Sequence, residues 1–410
     1  MTPLRPAQRG IWATLLALAL AAAGAAQPPQ RERPRRLLLD QDGRAQVVTL
    51  RSISDREIVF EDALGRLRRM AVGGAAALAP AQLAQPLLAV APSADRQEQP
   101  AAAPSLRTVD GQRLPGRLAG TAEGEESVVW AHDAFGAVVV PLERVAQAVL
   151  RAVEPGAAVA AIPPPQQGGD DELLLVNGDR LSGFLRSLGD PVQLETDDGA
   201  VVEIPPDRVA VAQLANPPEP RQGLVVWLED GSIVVVASLA PVEEGDVELT
   251  LPTGQSAVYP LASIQAVAFE AGSLRALASI EPALQKGPAD RLWTPPLRRL
   301  GSADQPLDLI DLVFPGPMRV EWPLPDNARR FVAVAELPVE VRDWGDCEVV
   351  VRVDGVEKLR RRLSGDEPKV EINIPARGST LSIEIEEGRY GPIRDEVVLR
   401  RPALLLEKTP

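Results

Sequence analysis

The residues of this chain best suited to meet a ligand are a few aromatics set among charges near the C-terminus. Trp344 lies in Asp343-Trp344-Gly345-Asp346 and Tyr390 in Gly388-Arg389-Tyr390-Gly391. A flat ring on a loop offers a stacking surface to the CH face of a sugar, and planar polar groups beside it can hold hydroxyls. Asp343, Arg389 and Asp395 are the polar candidates. The other reading is that these rings, with Trp293 and Trp322, cap an apolar core, where large aromatics usually end up. Asp343, Asp346 and Asp395 could also offer oxygens to a structural calcium. Calcium takes roughly six to eight oxygens, and no dense D-x-D-x-D run supplies them, so ordinary loop carboxylates and no cofactor are expected.

Reactive chemistry has little to work with. The adjacent acids Glu243-Glu244, Asp197-Asp198 and Glu386-Glu387 would point to opposite faces of a strand and could not share a substrate. They read as turn and surface charge. A Ser-His or Cys-His pair would have to use His132, the one histidine. It sits on a hairpin strand with no G-x-S-x-G nucleophile nearby, so a surface or half-buried position is expected. Cys347 is the one cysteine and opens an alternating strand, the setting of a buried packing thiol. The basic cluster Lys358–Arg362 reads as a solvated hairpin edge that discourages further strand pairing. No catalytic residue is assigned and no enzyme is expected.

The elements that position these residues begin after a targeting segment. Arg5 and Arg9 precede an apolar run, Ile11 to Ala23, and Ala23-Gly24-Ala25 fits a small-x-small cleavage site. This is the pattern of a secretory signal peptide, with Ala26 or Gln27 as the mature start. The run is shorter than the ~20 residues a spanning helix needs, so a secreted or periplasmic chain with no membrane span after cleavage is expected. A single cysteine allows no internal disulfide, leaving stability to apolar burial. A net charge of −14 disfavours binding to a phosphate backbone, so no nucleic-acid partner is expected. Abundant Ala, Pro and Arg suggest a bacterial, GC-rich source.

Self-comparison finds a repeated unit. Each copy opens with a strand and a tight Asx-Gly turn: Asp42-Gly43, Asp110-Gly111, Asn177-Gly178 and Asp230-Gly231. Such turns are the strongest short hairpin signal. A second turn glycine follows in each: Gly65, Gly136, Gly199 and Gly254. Copies two and three share G-x-R-L-x-G, at 111–116 and 178–183, and its second glycine suggests a bend where the sheet curls. About five short strands in a bent sheet resemble a small SH3-like or Sm-like barrel. Residues 79–104 and 153–170 are Pro-, Ala- and Gln-rich and read as disordered tethers between barrels. The short joint Asn216–Pro220 suggests that copies three and four pack together. A helix is expected only over Ser273–Ile280, from Ser273 as N-cap to the stop at Pro282.

The last third alternates apolar and polar residues. In Leu381-Ser382-Ile383-Glu384-Ile385-Glu386 the isoleucines share one face and Ser382, Glu384 and Glu386 the other, as in a half-buried antiparallel sheet. From about Leu274 to Leu405 the chain resembles the NPCBM family, carbohydrate-binding modules named for their place beside glycosyl hydrolases such as those of family 98. The resemblance is carried, in order, by several segments. Ala278-Ser279-Ile280-Glu281-Pro282 is similar to the family's entry. Pro296–Leu300 and Gln305–Leu309 resemble edge strands. Arg330–Leu337 resembles a central F-x-A-x-V-G strand, Val349–Gly355 a V-D-G hairpin, and Thr380–Ile385 a late L-x-L-x-V strand. The family's G-x-G-x-H place reads Val313–Met318 here, without histidine. Its D-H-x-D-W loop reads Gly391–Val398 and keeps only Asp395.

The expected architecture is therefore all-β: several small SH3/Sm-like barrels followed by a jelly-roll-like β-sandwich. The order is signal peptide 1–26, repeats 35–78, 105–152, 171–215 and 221–271, and sandwich 274–405. The resemblance implies a glycan or cell-envelope polymer as ligand. Two alternatives stand beside it: an assembly protein contacting other envelope proteins through its barrels, and a polysaccharide hydrolase or its accessory.

Overall fold

The computed structural model describes residues 33–81, 103–121, 126–152, 169–243, 245–289, 293, 295–301 and 305–407. The expected signal segment and nearly all of the two long linkers lie outside them. The described chain is all-β, with only single 3-10 turns between strands.

All four repeats follow one plan. In the first, strands Arg35–Asp40, Ala45–Ile53, Glu57–Glu61 and Leu67–Ala71 form a meander, and after a 3-10 turn, Val72–Gly74, strand Ala75–Pro80 returns to pair with the first. Both turn glycines of every copy take positive φ, from 71° to 93°, a region that L side chains avoid. Asp40 Oδ1 accepts the N–H groups of Asp42 and Arg44 at 2.9 and 2.8 Å, the local bond by which Asp sets a turn. Gly116 and Gly183 justify the second glycine of G-x-R-L-x-G. A Cβ there would stand 2.2 Å from the carbonyl oxygen of Ala131 or Glu195.

The repeats are not separate barrels, and among the described residues no barrel closes. Their outer strands join edge to edge into one sixteen-stranded sheet whose order runs through repeats three, two, four and one. The joints are near-symmetric. The fourth residues of the final strands face each other: Ala148 opposite Ala212, and Leu78 opposite Val267. Between repeats two and four the equivalent second strands meet at Arg113 and Ile233. Repeat three thus pairs with repeat two, and not, as the short joint suggested, with repeat four. The reason lies in the final strands. Val209–Gln213 is buried throughout and Ala75–Pro80 nearly so; an edge so apolar is stable only when covered. One continuous core, from Leu38 through Trp130 and Leu185 to Leu239, runs through all four copies.

The C-terminal region is a sandwich of two antiparallel sheets. One contains Arg298–Leu300, Asp311–Phe314, Val397–Leu406, Ala328–Glu336 and Lys369–Pro375, with Leu274–Ala276 added against Val397–Leu406. The other contains Leu284–Lys286, Met318–Pro323, Thr380–Glu387, Asp346–Val353 and Val356–Ser364. Phe314, Trp322, Phe331, Val349 and Ile383 fill the space between them. Ile383 and Ile385 face inward as the alternation predicts, although Ser382 is buried too. The expected helix does not form. Leu274–Ala276 is a strand paired with Ala403–Leu405, flanked by 3-10 turns at Ala271–Ser273 and Leu277–Ser279. Burial against that neighbour overrides helix propensity, which is a weak local preference. The outer face of the first sheet is also covered: Val332, Ala403 and Leu405 pack with Leu37, Ala77 and Trp227 of repeats one and four.

Candidate functional site

One rim of the sandwich gathers the sequence-predicted aromatics. Cys347 pairs with Glu387 at the end of two adjacent strands. Trp344 lies three residues before this pair and Tyr390 three after it, so both rings stand on loops leaving the same sheet end. Trp344 is 63% exposed and Tyr390 49%, which excludes the core-capping role for both. The Arg389 guanidinium lies 5.7 Å from the centre of the Tyr390 ring, a cation–π spacing. Asp343 and Arg394 are exposed on the same two loops, and Ile393 adds an apolar side chain. Trp322 is in the core, edge-on to Phe314. Trp293, also expected to cap the core, is 73% exposed.

The loops are held from beneath. Asp346, almost wholly buried, receives the Arg362 guanidinium in a two-pronged pair at 2.5 and 2.7 Å, and its Oδ2 also accepts the N–H of Arg389 at 3.1 Å. Bonding to Arg362 above all holds the Asp346 carboxyl below the usual carboxylate range. Asp395 Oδ1 accepts the N–H of Asp346 at 3.4 Å. Glycines let the strands and loops close up: a Cβ on Gly388 would stand 1.9 Å from the Asp346 carbonyl oxygen, and one on Gly345 would stand 2.9 Å from that of Arg394.

This geometry corrects one expectation. Asp395 is 2% exposed and cannot meet a ligand; it positions the loop instead. Of the three carboxylates weighed for calcium, Asp346 takes its cation from Arg362, Asp343 is exposed and Asp395 is buried. Among the described residues no group of three or more His, Cys, Asp or Glu is arranged to hold a metal. The basic cluster contributes Arg362 to this anchor, and Arg360 pairs with Glu348 and Glu386, each at 2.6 Å. Sequence reasoning missed Arg362 as a support because its partner lies across a hairpin. The alternation that placed both residues on facing strands was the available signal.

His132 is buried, not half-exposed, and its Nε2 lies 3.0 Å from Ser232 Oγ. The pair is not a nucleophile and base. Nδ1 accepts the N–H groups of Ala134 and Phe135 at 3.1 and 3.2 Å, so the proton sits on Nε2 and is donated to Ser232. A base must present a bare nitrogen to the hydroxyl it activates. Burial lowers the His132 pKa, against the pull of Asp230 and Asp133, and the bond fastens repeat two to repeat four. Burial also pushes the Cys347 thiol up to about 12, the state of an inert packing cysteine.

No protein-family model matches the chain. No curated protein matches it either. Among solved structures the chain is similar to a CBM51 module from a Clostridium perfringens GH95 protein, in complex with methyl-galactose. The TM-score is 0.26 and the identity 12%, over 32% of this chain and 99% of that one. It is similar to the tandem CBM51 modules of a family 98 glycoside hydrolase from Streptococcus pneumoniae, with a TM-score of 0.27 and 11% identity, over 74% of this chain and 88% of that one. A third is the CBM51-2 and INT region of Clostridium perfringens ZmpB, in complex with GlcNAc. Its TM-score is 0.28 and its identity 11%, over 43% of this chain and 42% of that one.

Proposed function

We propose that this is an exported, non-catalytic protein whose C-terminal sandwich, a module of the NPCBM kind, binds glycan at the Trp344–Tyr390 rim. The observation that carries the reading is the exposure of these two rings on adjacent loops, 63% and 49%, over a buried Asp346 that the exposed Arg362 neutralises. Exposed aromatics cost solvation and are usually withdrawn into cores; rings held out on braced loops form a ready stacking surface. A braced rim loses little freedom on binding, which favours affinity for a weak ligand class. The non-catalytic reading is supported by the tautomer at His132. Export is supported by the 1–26 sequence pattern. A glycan array probed with the purified chain and with Trp344→Ala tests the site. Binding lost in the variant supports it; equal binding by both, or none by either, refutes it.

A second reading, assembly with other envelope proteins, has one observation in its favour. In repeats two and four the second strands pair with each other, whereas Arg180–Ser182 of repeat three is paired only on its inner side. Exposed Phe184 and Val201 lie close by. A bare strand edge of this kind is a template for pairing with another chain.

A further inference from the structure

A cleft of about 400 Å³ separates repeat one from the outer face of the sandwich, and neither Trp344 nor Tyr390 lines it. Its floor is aliphatic: Leu39 and Val47 of the repeat face Val332 and Ala403 of the sandwich. Among the described residues no aromatic side chain lines it, so these residues offer a sugar no stacking surface. Above the floor stand Arg401, Arg44 and Lys369, with Glu371 as a nearby acid. The other charged groups at the wall are already used. Arg400 pairs with Asp311 at 3.3 Å and with Glu336 at 3.4 Å, and Glu336 also takes Arg342 at 2.7 Å.

Arg401 differs from its neighbour. Its backbone N–H donates to Asp311 Oδ1 at 2.8 Å, but its side-chain Nε is buried without a hydrogen-bond partner. Its φ is 48°, a strained value for a side-chain-bearing residue. A buried N–H left without an acceptor costs stability, commonly more than a made hydrogen bond returns, although Asp311 and Glu371 act on the charge of this half-buried side chain from further away. Burial, reinforced by Arg400, pushes its pKa down to about 10. The cleft is also preformed. Asn373 Nδ2 donates to the carbonyls of Asp42 and Gly43 at 3.1 Å each, Arg330 holds Asn373 Oδ1 at 2.8 Å, and Arg329 donates to the carbonyl of Gln41. Repeat and sandwich are therefore stitched together along one wall.

We propose that this cleft binds a small monocarboxylic acid with an aliphatic body, its carboxylate on the Arg401 guanidinium and its hydrocarbon on the Leu39–Val47–Val332–Ala403 floor. Guanidinium and carboxylate match as a fork to a fork. Arg44 and Lys369 at the mouth attract the anion. Glu371 opposes a second negative charge, which selects a monoanion over a dianion. The volume lies within the roughly 300–1,000 Å³ of small-molecule sites.

Isothermal titration calorimetry of the full chain with octanoate, octanol and octylammonium tests the assignment, because the three share a chain and differ in the head. Octanoate should bind, with octanol at least tenfold weaker and octylammonium weaker still. Arg401→Gln should weaken octanoate at least tenfold. Should that variant lose its circular-dichroism spectrum, the exposed pair Arg44→Gln and Lys369→Gln serves instead, and should weaken octanoate several-fold and flatten its salt dependence. Trp344→Ala should leave octanoate binding unchanged, which separates this site from the glycan rim. No heat with octanoate, equal binding of octanol, or binding indifferent to the folded variants overturns the proposal.

Discussion

Replacing Arg400 by Met removes the charge at the centre of a buried network and tests how the sandwich sheet that faces the repeats is held. Arg400 is 6% exposed and lies between Asp311 at 3.3 Å and Glu336 at 3.4 Å. At an effective dielectric near 20, each contact is worth about 5 kcal/mol of Coulomb energy, most of it offset by the cost of desolvating the ions. The loss is then set by what is left behind. Glu336 keeps Arg342 at 2.7 Å. Asp311 keeps the N–H of Arg401 and the more distant charge of its guanidinium, so one carboxylate loses its nearest cation, and removing one partner of a buried pair costs about 3–5 kcal/mol. Because Glu336 retains a partner, the lower end, about 3 kcal/mol at neutral pH, is expected. Asp311 already has a raised pKa, chiefly from burial, and losing Arg400 raises it further. A carboxyl with a raised folded pKa is most favourable to the fold below its unfolded value, and that contribution is lost as pH rises through the folded pKa. The cost of Arg400→Met should therefore shrink on acidification toward pH 4, where Asp311 can take a proton. Urea unfolding followed by tryptophan fluorescence at pH 7.5 and near pH 4.5 measures it, and adding Asp311→Asn to the variant should recover much of the loss at neutral pH. A cost below about 1 kcal/mol, or one unchanged between the two pH values, would refute the assignment of Arg400 as the neutralising partner of Asp311.

Other expectations follow from single contacts. His132 titrates below its ordinary value in the fold, so the stability it supports is complete above about 6.5 and declines as pH falls through the folded pKa; His132→Asn should abolish that acid-side slope in denaturation curves. Gly388→Ala forces a Cβ into the Asp346 carbonyl and should cost about 1–3 kcal/mol as overpacking does, with weaker glycan-array signals if the rim shifts, whereas the same change at Gly73, which has open space and no positive φ, should be mild. Cys347 is fully buried with a raised pKa, so a thiol reagent should label it only once the sandwich is unfolded; labelling of the native chain at the unfolded rate would show the core to be open. N-terminal sequencing of exported protein should begin at Ala26 or Gln27.

The residue order alone sets what is local. Period-two alternation gave the strands, and Asx-Gly dipeptides gave the hairpins, because glycine takes without strain the positive φ found at all eight turn positions. The second glycine of G-x-R-L-x-G announced a bend that the close approach of Ala131 and Glu195 explains. It also put Trp344 and Tyr390 forward as a pair. The rest came from packing between distant segments. Ser273–Ile280 had helical credentials, yet Ala403–Leu405 drew Leu274–Ala276 into a strand. Repeats that looked like beads on a tether became one sheet, because their Ala-rich final strands were apolar on both faces and needed a partner that no local pattern names. Whether Trp344 and Asp395 faced outward or inward depended on Asp346 and Arg362, which meet across a hairpin. Alternation records which side of a strand a residue occupies; which neighbour then covers that side is settled only when distant segments compete to bury it.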